Sequence, residues 1–154
     1  MVKFKATTFL NDDELIRRMQ KAQMTVQEAL EEAVIRDTNR YVPANTGKLA
    51  RSASSHKYAK LGSGQIVYRA SKPGQSQSYA RYLWFGRLMV SPTTHSPWAK
   101  AGEKKILTGR VLNFQRNYHA KATARWFDVS KKQNMNAWEK LAKQKFSATW
   151  GRLV

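Results

Sequence analysis

The amino-acid sequence predicts an α+β fold, on three observations. Apolar residues at helical spacing run through the first quarter of the chain. Two strand-like apolar runs flank a long basic loop in the second half, and another helical stripe lies near the end. With 154 residues and no internal repeat, one core spanning residues 1–154 is expected. A chain of that length buries roughly 68–70% of its unfolded surface, enough to fold without staples.

Residues 2–6 alternate Val2, Lys3, Phe4, Lys5 and Ala6, the period of a strand with one wet face. Asn11 stands as an N-cap, with Glu14 as the returning half of a capping box and Asp12 and Asp13 on the positive end of the helix dipole. Leu15, Met19, Ala22, Val26, Ala29, Leu30, Ala33 and Val34 follow at spacings of three and four. They predict an amphipathic helix over 12–39, about 40 Å long at 1.5 Å per residue. Tyr41-Val42-Pro43 ends it, because the residue before proline is pushed out of the helical region.

Pro43 to Gly47 is a turn by composition. Leu49 to Tyr58 reads as extended, Gly62-Ser63-Gly64 as a tight connection, and Gln65 to Arg69 as a strand paired with the segment before it. Residues 72–78 are a Gly/Ser/Gln-rich loop. Tyr79 to Phe85 is the most aromatic segment and closes at Gly86; a short helix and a strand both remain open there. Leu88-Met89-Val90 and Ile106 to Phe114 form a predicted hairpin, with Ser91 to Lys105 as its long basic tip. A last helix is expected over 120–148 from Ala120, Phe127, Met135, Trp138, Leu141, Ala142 and Phe146, interrupted by polar residues at Ser130 to Asn134.

The charge is unevenly placed. The chain carries 28 Lys plus Arg against 10 Asp plus Glu, a net charge of +18. Residues 1–37 hold six bases and seven acids, net −1; residues 38–154 hold 22 bases and only Glu103, Asp128 and Glu139, net +19. A near-neutral head on a basic body should attract polyanions or an acidic protein surface. The chain has no Cys, which removes disulfides, thiolate nucleophiles and Cys-based zinc sites. Its apolar runs fall far short of the ~18 residues of a membrane span, and the first residues hold no apolar stretch of signal-peptide length. A soluble protein made in a cytoplasm, with no membrane partner, is the expectation.

Hydrolytic or nucleolytic chemistry needs carboxylates, His or a nucleophile gathered in one place. His56, His95 and His119 are isolated and show no metal-ligand spacing. Thr46-Gly47-Lys48-Leu49 lacks the earlier glycine of a phosphate loop and has Leu49 where Ser or Thr would bind magnesium. No enzyme, cofactor or metal is expected. Bases beside aromatics, as in Tyr79-Ala80-Arg81-Tyr82 and Arg116-Asn117-Tyr118-His119, would contact phosphate rather than read bases.

The long first helix runs into Tyr41-Val42-Pro43-Ala44-Asn45-Thr46-Gly47-Lys48-Leu49, with Ser52 following. Tyr79-Ala80-Arg81-Tyr82-Leu83 then closes at Gly86, and Trp126-Phe127 and Trp138 come near the end. This order resembles the minor capsid or head–tail connector proteins of tailed bacteriophages, the group that includes tail-completion proteins, over roughly residues 12–146. The resemblance implies an α+β subunit whose small antiparallel sheet is packed by long helices. It also implies a homo-oligomeric ring between the portal side of the capsid and the tail, in contact with neighbouring connector and tail proteins and with DNA passing through.

Carried over, Pro43, Thr46, Gly47 and Leu49 would shape the turn; Tyr79, Ala80, Tyr82 and Gly86 would anchor the middle segment to the sheet; Trp126, Phe127 and Trp138 would dock the last helix. Where such proteins often place an acidic residue before the glycine, this chain has Trp84-Phe85. Within a ring, Glu28, Glu31 and Glu32 would meet a basic neighbouring subunit. Lys100, Lys104, Lys105 and Arg110 of the hairpin would face packaged DNA or an acidic adjoining ring. The alternative reading is a small basic protein that binds nucleic-acid phosphates without a ring.

Overall fold

The computed structural model describes residues 12–71 and 78–151. Their order is α1 (Asp12–Asn39), α2 (Lys48–Ser54), α3 (Ala80–Phe85), β1 (Arg87–Val90), β2 (Ile106–Val111) and α4 (Trp126–Gly151). The fold is α+β: long N- and C-terminal helices, two short helices, and one two-stranded antiparallel sheet. The strand expected at 2–6, the Asn11 cap and most of the 72–78 loop lie outside the described residues. Among the described residues, no helix is long and apolar enough to cross a membrane.

The α1 stripe does what its period requires. Ala33 and Val34 are buried against Trp138 of α4, with Leu30 and Leu141 packed beside them. Near the other end of the contact the Thr38 hydroxyl donates to Ser130 Oγ at 3.0 Å, so the two helices run antiparallel. The polar stretch Ser130 to Asn134, which interrupts the apolar stripe of α4, is therefore part of the helix interface. Thr38 and Ser130 are fully buried, Asn134 Nδ2 donates to the Ser130 carbonyl at 2.9 Å, and the Tyr41 hydroxyl donates to Gln133 Oε1. Each buried hydroxyl has a partner, as burial of a polar group demands. Trp138 also donates its indole N–H to Asp37 Oδ2 at 3.0 Å. Burial works to raise the Asp37 carboxyl, but hydrogen bonds from Arg36 and Trp138 and the nearby charges of Arg36 and Arg40 outweigh it, holding the carboxyl below its ordinary value.

Two expected strands are absent. Lys48 to Ser54 is the helix α2, not an extended segment. Lys, Leu, Ala and Arg are strong helix formers, and Leu49, Ala50, Ser52 and Ala53 put one buried face on the core. Residues 65–70 then have no strand to pair with, and they form no ladder. Their polar groups bond to side chains instead: Arg69 N–H donates to Ser52 Oγ at 2.9 Å and the Tyr68 hydroxyl to Asn39 Oδ1 at 3.0 Å. The middle aromatic segment resolves as helix, α3.

α4 begins at Trp126, later than the expected 120, because tertiary hydrogen bonds occupy the backbone before it. Thr123 N–H donates to the Tyr41 carbonyl at 3.0 Å and Arg125 N–H to the Trp84 carbonyl at 2.9 Å. The hairpin is present: β1 pairs with β2 antiparallel, Val90 opposite Ile106 and Arg87 opposite Val111, with a bulge between Arg87 and Met89. β1 is buried at Met89 and Val90, whereas β2 is almost wholly exposed.

Candidate functional site

The turn after α1 and the α3 segment, far apart in sequence, share one core. Tyr41, Val42, Leu49, Ala50, Ala70 and Trp126 form its buried centre, and Tyr79, Ala80, Leu83 and Trp84 pack on it. Trp126 meets Trp84 edge-on at 5.0 Å and Tyr68 at 6.0 Å between ring centres, geometries that aromatic quadrupoles favour. Burial raises the hydroxyl pKa of both Tyr68 and Tyr79. Between turn and α3 lies an open cleft of about 470 Å³, its walls including Pro43, Thr46, Leu49, Tyr79, Leu83 and Phe114.

Each motif residue has a mechanical reason to be where it is. Pro43 is buried and Thr46 is exposed; the Thr46 carbonyl accepts from Arg51 Nη2 at 2.7 Å, and the Gly47 carbonyl accepts Arg51 N–H at 2.9 Å. This doubly bonded arginine closes the turn onto α2. Tyr79 N–H donates to the Ala70 carbonyl at 2.9 Å, and half-buried Tyr82 lies under Lys105 Nζ, 5.1 Å from its ring centre. Gly86 caps α3 in the left-handed region at φ 63°. Trp126 and Trp138 are buried, 3% and 5% exposed. Phe127 is 39% exposed, and its ring stacks on Trp138 at 6.4 Å between ring centres.

The acidic stretch of α1 is divided. Glu31 is buried inside the subunit, where its carboxylate accepts from Gly62 N–H at 2.7 Å, Gly64 N–H at 2.6 Å and Gln27 Nε2 at 3.0 Å. The positive φ of both glycines, 81° and 78°, turns their N–H groups toward it. Hydrogen bonds to a charged group contribute about 1.5–3 kcal/mol each, so Glu31 clamps the Gly62–Gly64 turn to α1 and is withdrawn from the outer surface. Glu28 is half-buried and Glu32 exposed.

Lys100, Lys104 and Arg110 are exposed on the hairpin, while Lys105 is held over Tyr82. The loop between the strands is internally tied. The Ser91 hydroxyl donates to Glu103 Oε1 at 2.6 Å, the Thr93 hydroxyl to the same oxygen at 2.8 Å, and Lys100 N–H to Glu103 Oε2 at 2.9 Å. These three bonds hold the Glu103 carboxyl at about 2, well below its ordinary 4.5. A depressed folded-state value means that the carboxylate stabilises the loop fully above about pH 4.5 and that this support is lost as pH falls through about 2. Amide hydrogen exchange at Lys100 should therefore be slow at pH 5 and lose its protection near pH 2, relative to its intrinsic rate. Glu103→Gln should remove the protection at both.

Among the described residues, no group of three or more His, Cys, Asp or Glu side chains is placed to hold a metal ion. His119 serves the fold, its Nδ1 bonding the Val42 carbonyl at 2.7 Å. Sequence reasoning missed Glu31, Ser91 and Glu103 as organising residues. Their partners lie 31, 33 and 12 residues away, and no local pattern marks such pairs. Comparison with family models, with curated proteins and with solved structures finds no match to this chain.

Proposed function

We propose that this chain is a non-enzymatic structural subunit of the neck of a tailed bacteriophage. It assembles in the host cytoplasm as a homo-oligomeric ring that joins the DNA-filled head to the tail. The observation that carries the reading is the convergence of the two motif segments. Pro43 to Leu49 and Tyr79 to Gly86 carry the resemblance to head–tail connector proteins, and they meet on one core around Trp126 and shape one cleft. Every motif residue with a contact there acts by packing, capping or turn geometry, which suits an assembly part. The paired helices α1 and α4 supply a strut about 40 Å long, and the basic hairpin supplies a surface for partners or for DNA. Charge distributed in this way holds polyanions without reading sequence.

Light scattering and negative-stain microscopy of the purified protein at several salt concentrations test the proposal. Closed rings, and recovery of the chain in purified virions, are the expected results. A monomer that binds duplex DNA tightly, with affinity falling steeply as salt rises, would overturn the ring and favour a phosphate-binding protein.

A further inference from the structure

We propose that the Ser91–Lys105 loop of one copy docks on the outer side of α1 in a second copy, with Trp98 on Met24 and Lys100 and Lys104 facing Glu28 and Glu32. The inference rests on the ring reading and names the contact that would build it.

The loop is built as a presenting surface. Its one acid, Glu103, is consumed by the bonds that hold the loop together. Lys100 and Lys104 therefore carry positive charge that nothing within the loop balances. Trp98 stands between those bonds at 73% exposure, the most exposed of the large apolar side chains among the described residues. A rigidly presented tryptophan flanked by cations is the usual composition of a protein–protein anchor: the indole supplies area, and the charges supply register and encounter rate.

The complementary chemistry lies on α1. Met24 is 59% exposed, and Glu28 and Glu32 follow at successive steps of four residues, which places all three along one side of the helix about 6 Å apart. Among the described residues neither Glu28 nor Glu32 forms an ion pair. Glu31 is buried under the Gly62–Gly64 turn, Glu28 is half-buried with its side chain beside Gly62 at the edge of that turn, and Glu32 is exposed. A methionine sulfur beside an indole is favourable in its own right. Loop and helix stripe are different surfaces of one chain, so the contact is head-to-tail. It propagates from copy to copy, closing into a ring where the rotation allows.

The absence of cysteine makes the test direct. Lys100→Cys and Glu28→Cys proteins are mixed under mild oxidation, where a disulfide between the two variants can form only between different molecules. Lys100→Cys mixed with Glu139→Cys, on the exposed side of α4, is the control. Sedimentation equilibrium then measures self-association of charge reversals. Lys100→Glu/Lys104→Glu and Glu28→Lys/Glu32→Lys should each weaken it about tenfold, and mixing the two reversed proteins should restore it. Trp98→Ala should weaken it about thirtyfold.

Preferential cross-linking together with charge rescue supports the contact. A wild-type protein that forms rings but shows equal cross-linking and neutral reversals overturns the contact and leaves the ring standing. Cross-linking and rescue without closed rings supports the contact and overturns the ring. No self-association at any concentration overturns both.

Discussion

Trp126→Ala is expected to lower the unfolding free energy by about 3–5 kcal/mol, the usual cost of truncating a buried aromatic. The indole is 3% exposed, lies in one buried cluster with Tyr41 and Val42 after α1 and Leu49 and Ala50 of α2, and meets the rings of Tyr68 and Trp84 edge-on. At about 2–4 °C per kcal/mol for a chain of this size, the thermal midpoint should fall by roughly 10 °C. Circular dichroism melts and urea titration measure it. The matched control is Phe127→Ala, one residue on, where the ring is exposed and a loss within about 1 kcal/mol is expected. Equal losses at the two positions would show that Trp126 does not organise the core.

Gly86→Ala should cost about 2–5 kcal/mol, from two separate causes. The backbone there sits at φ 63°, where an L side chain is strained by about 1–2 kcal/mol. A Cβ would also lie 2.6 Å from Ala124 Cβ, and overpacking of that kind costs about 1–3 kcal/mol. The second cause can be relieved alone. Ala124→Gly in the Gly86→Ala protein should recover the overpacking part and leave the backbone strain, a non-additivity that a double-mutant cycle reads directly. Gly109→Ala in β2 meets nothing within 4 Å and should change stability by under about 0.5 kcal/mol. If Ala124→Gly gave no recovery, the close approach of α3 to the segment before α4 would be wrong.

Legibility in the sequence tracked the range of the interactions involved. The stripe from Leu15 to Val34 marked α1 with the bounds it has, since helical period is a local property. Gly86 as a terminus was also legible, because a left-handed cap favours glycine wherever it occurs. The segment from Leu49 onward has an extended character by composition yet folds as α2. Its few apolar residues are too short a run for period to decide, and its helix formers decided instead. The strand expected at Gln65 to Arg69 went with it, since a strand exists only if an edge is available to pair.

For the candidate site, the motif segments Pro43 to Leu49 and Tyr79 to Gly86 are visible in the sequence, and residues of both line one cleft. The use of Glu31 was not legible. A glutamate on a helix of mixed charge reads as solvated, and only the arrival of Gly62 and Gly64 buries it. Ser130 to Asn134 carried the opposite ambiguity: polar residues that looked like an interruption of α4 are hydrogen-bonded into its contact with α1.

By itself, then, the sequence determined the long first helix, the turn at Pro43 to Gly47, the hairpin with its basic loop, and the charge contrast between a near-neutral head and a +19 body. Each follows from composition and short-range period, which act on the chain before it folds. Only the tertiary structure decided that Trp126 joins the turn to α3, that Glu31 is buried, Glu28 half-buried and Glu32 exposed, and that Trp98 stands out on a loop tied by Glu103. Those outcomes depend on which distant backbone N–H groups and rings come within reach, and burial and hydrogen bonding are settled there by the packed whole.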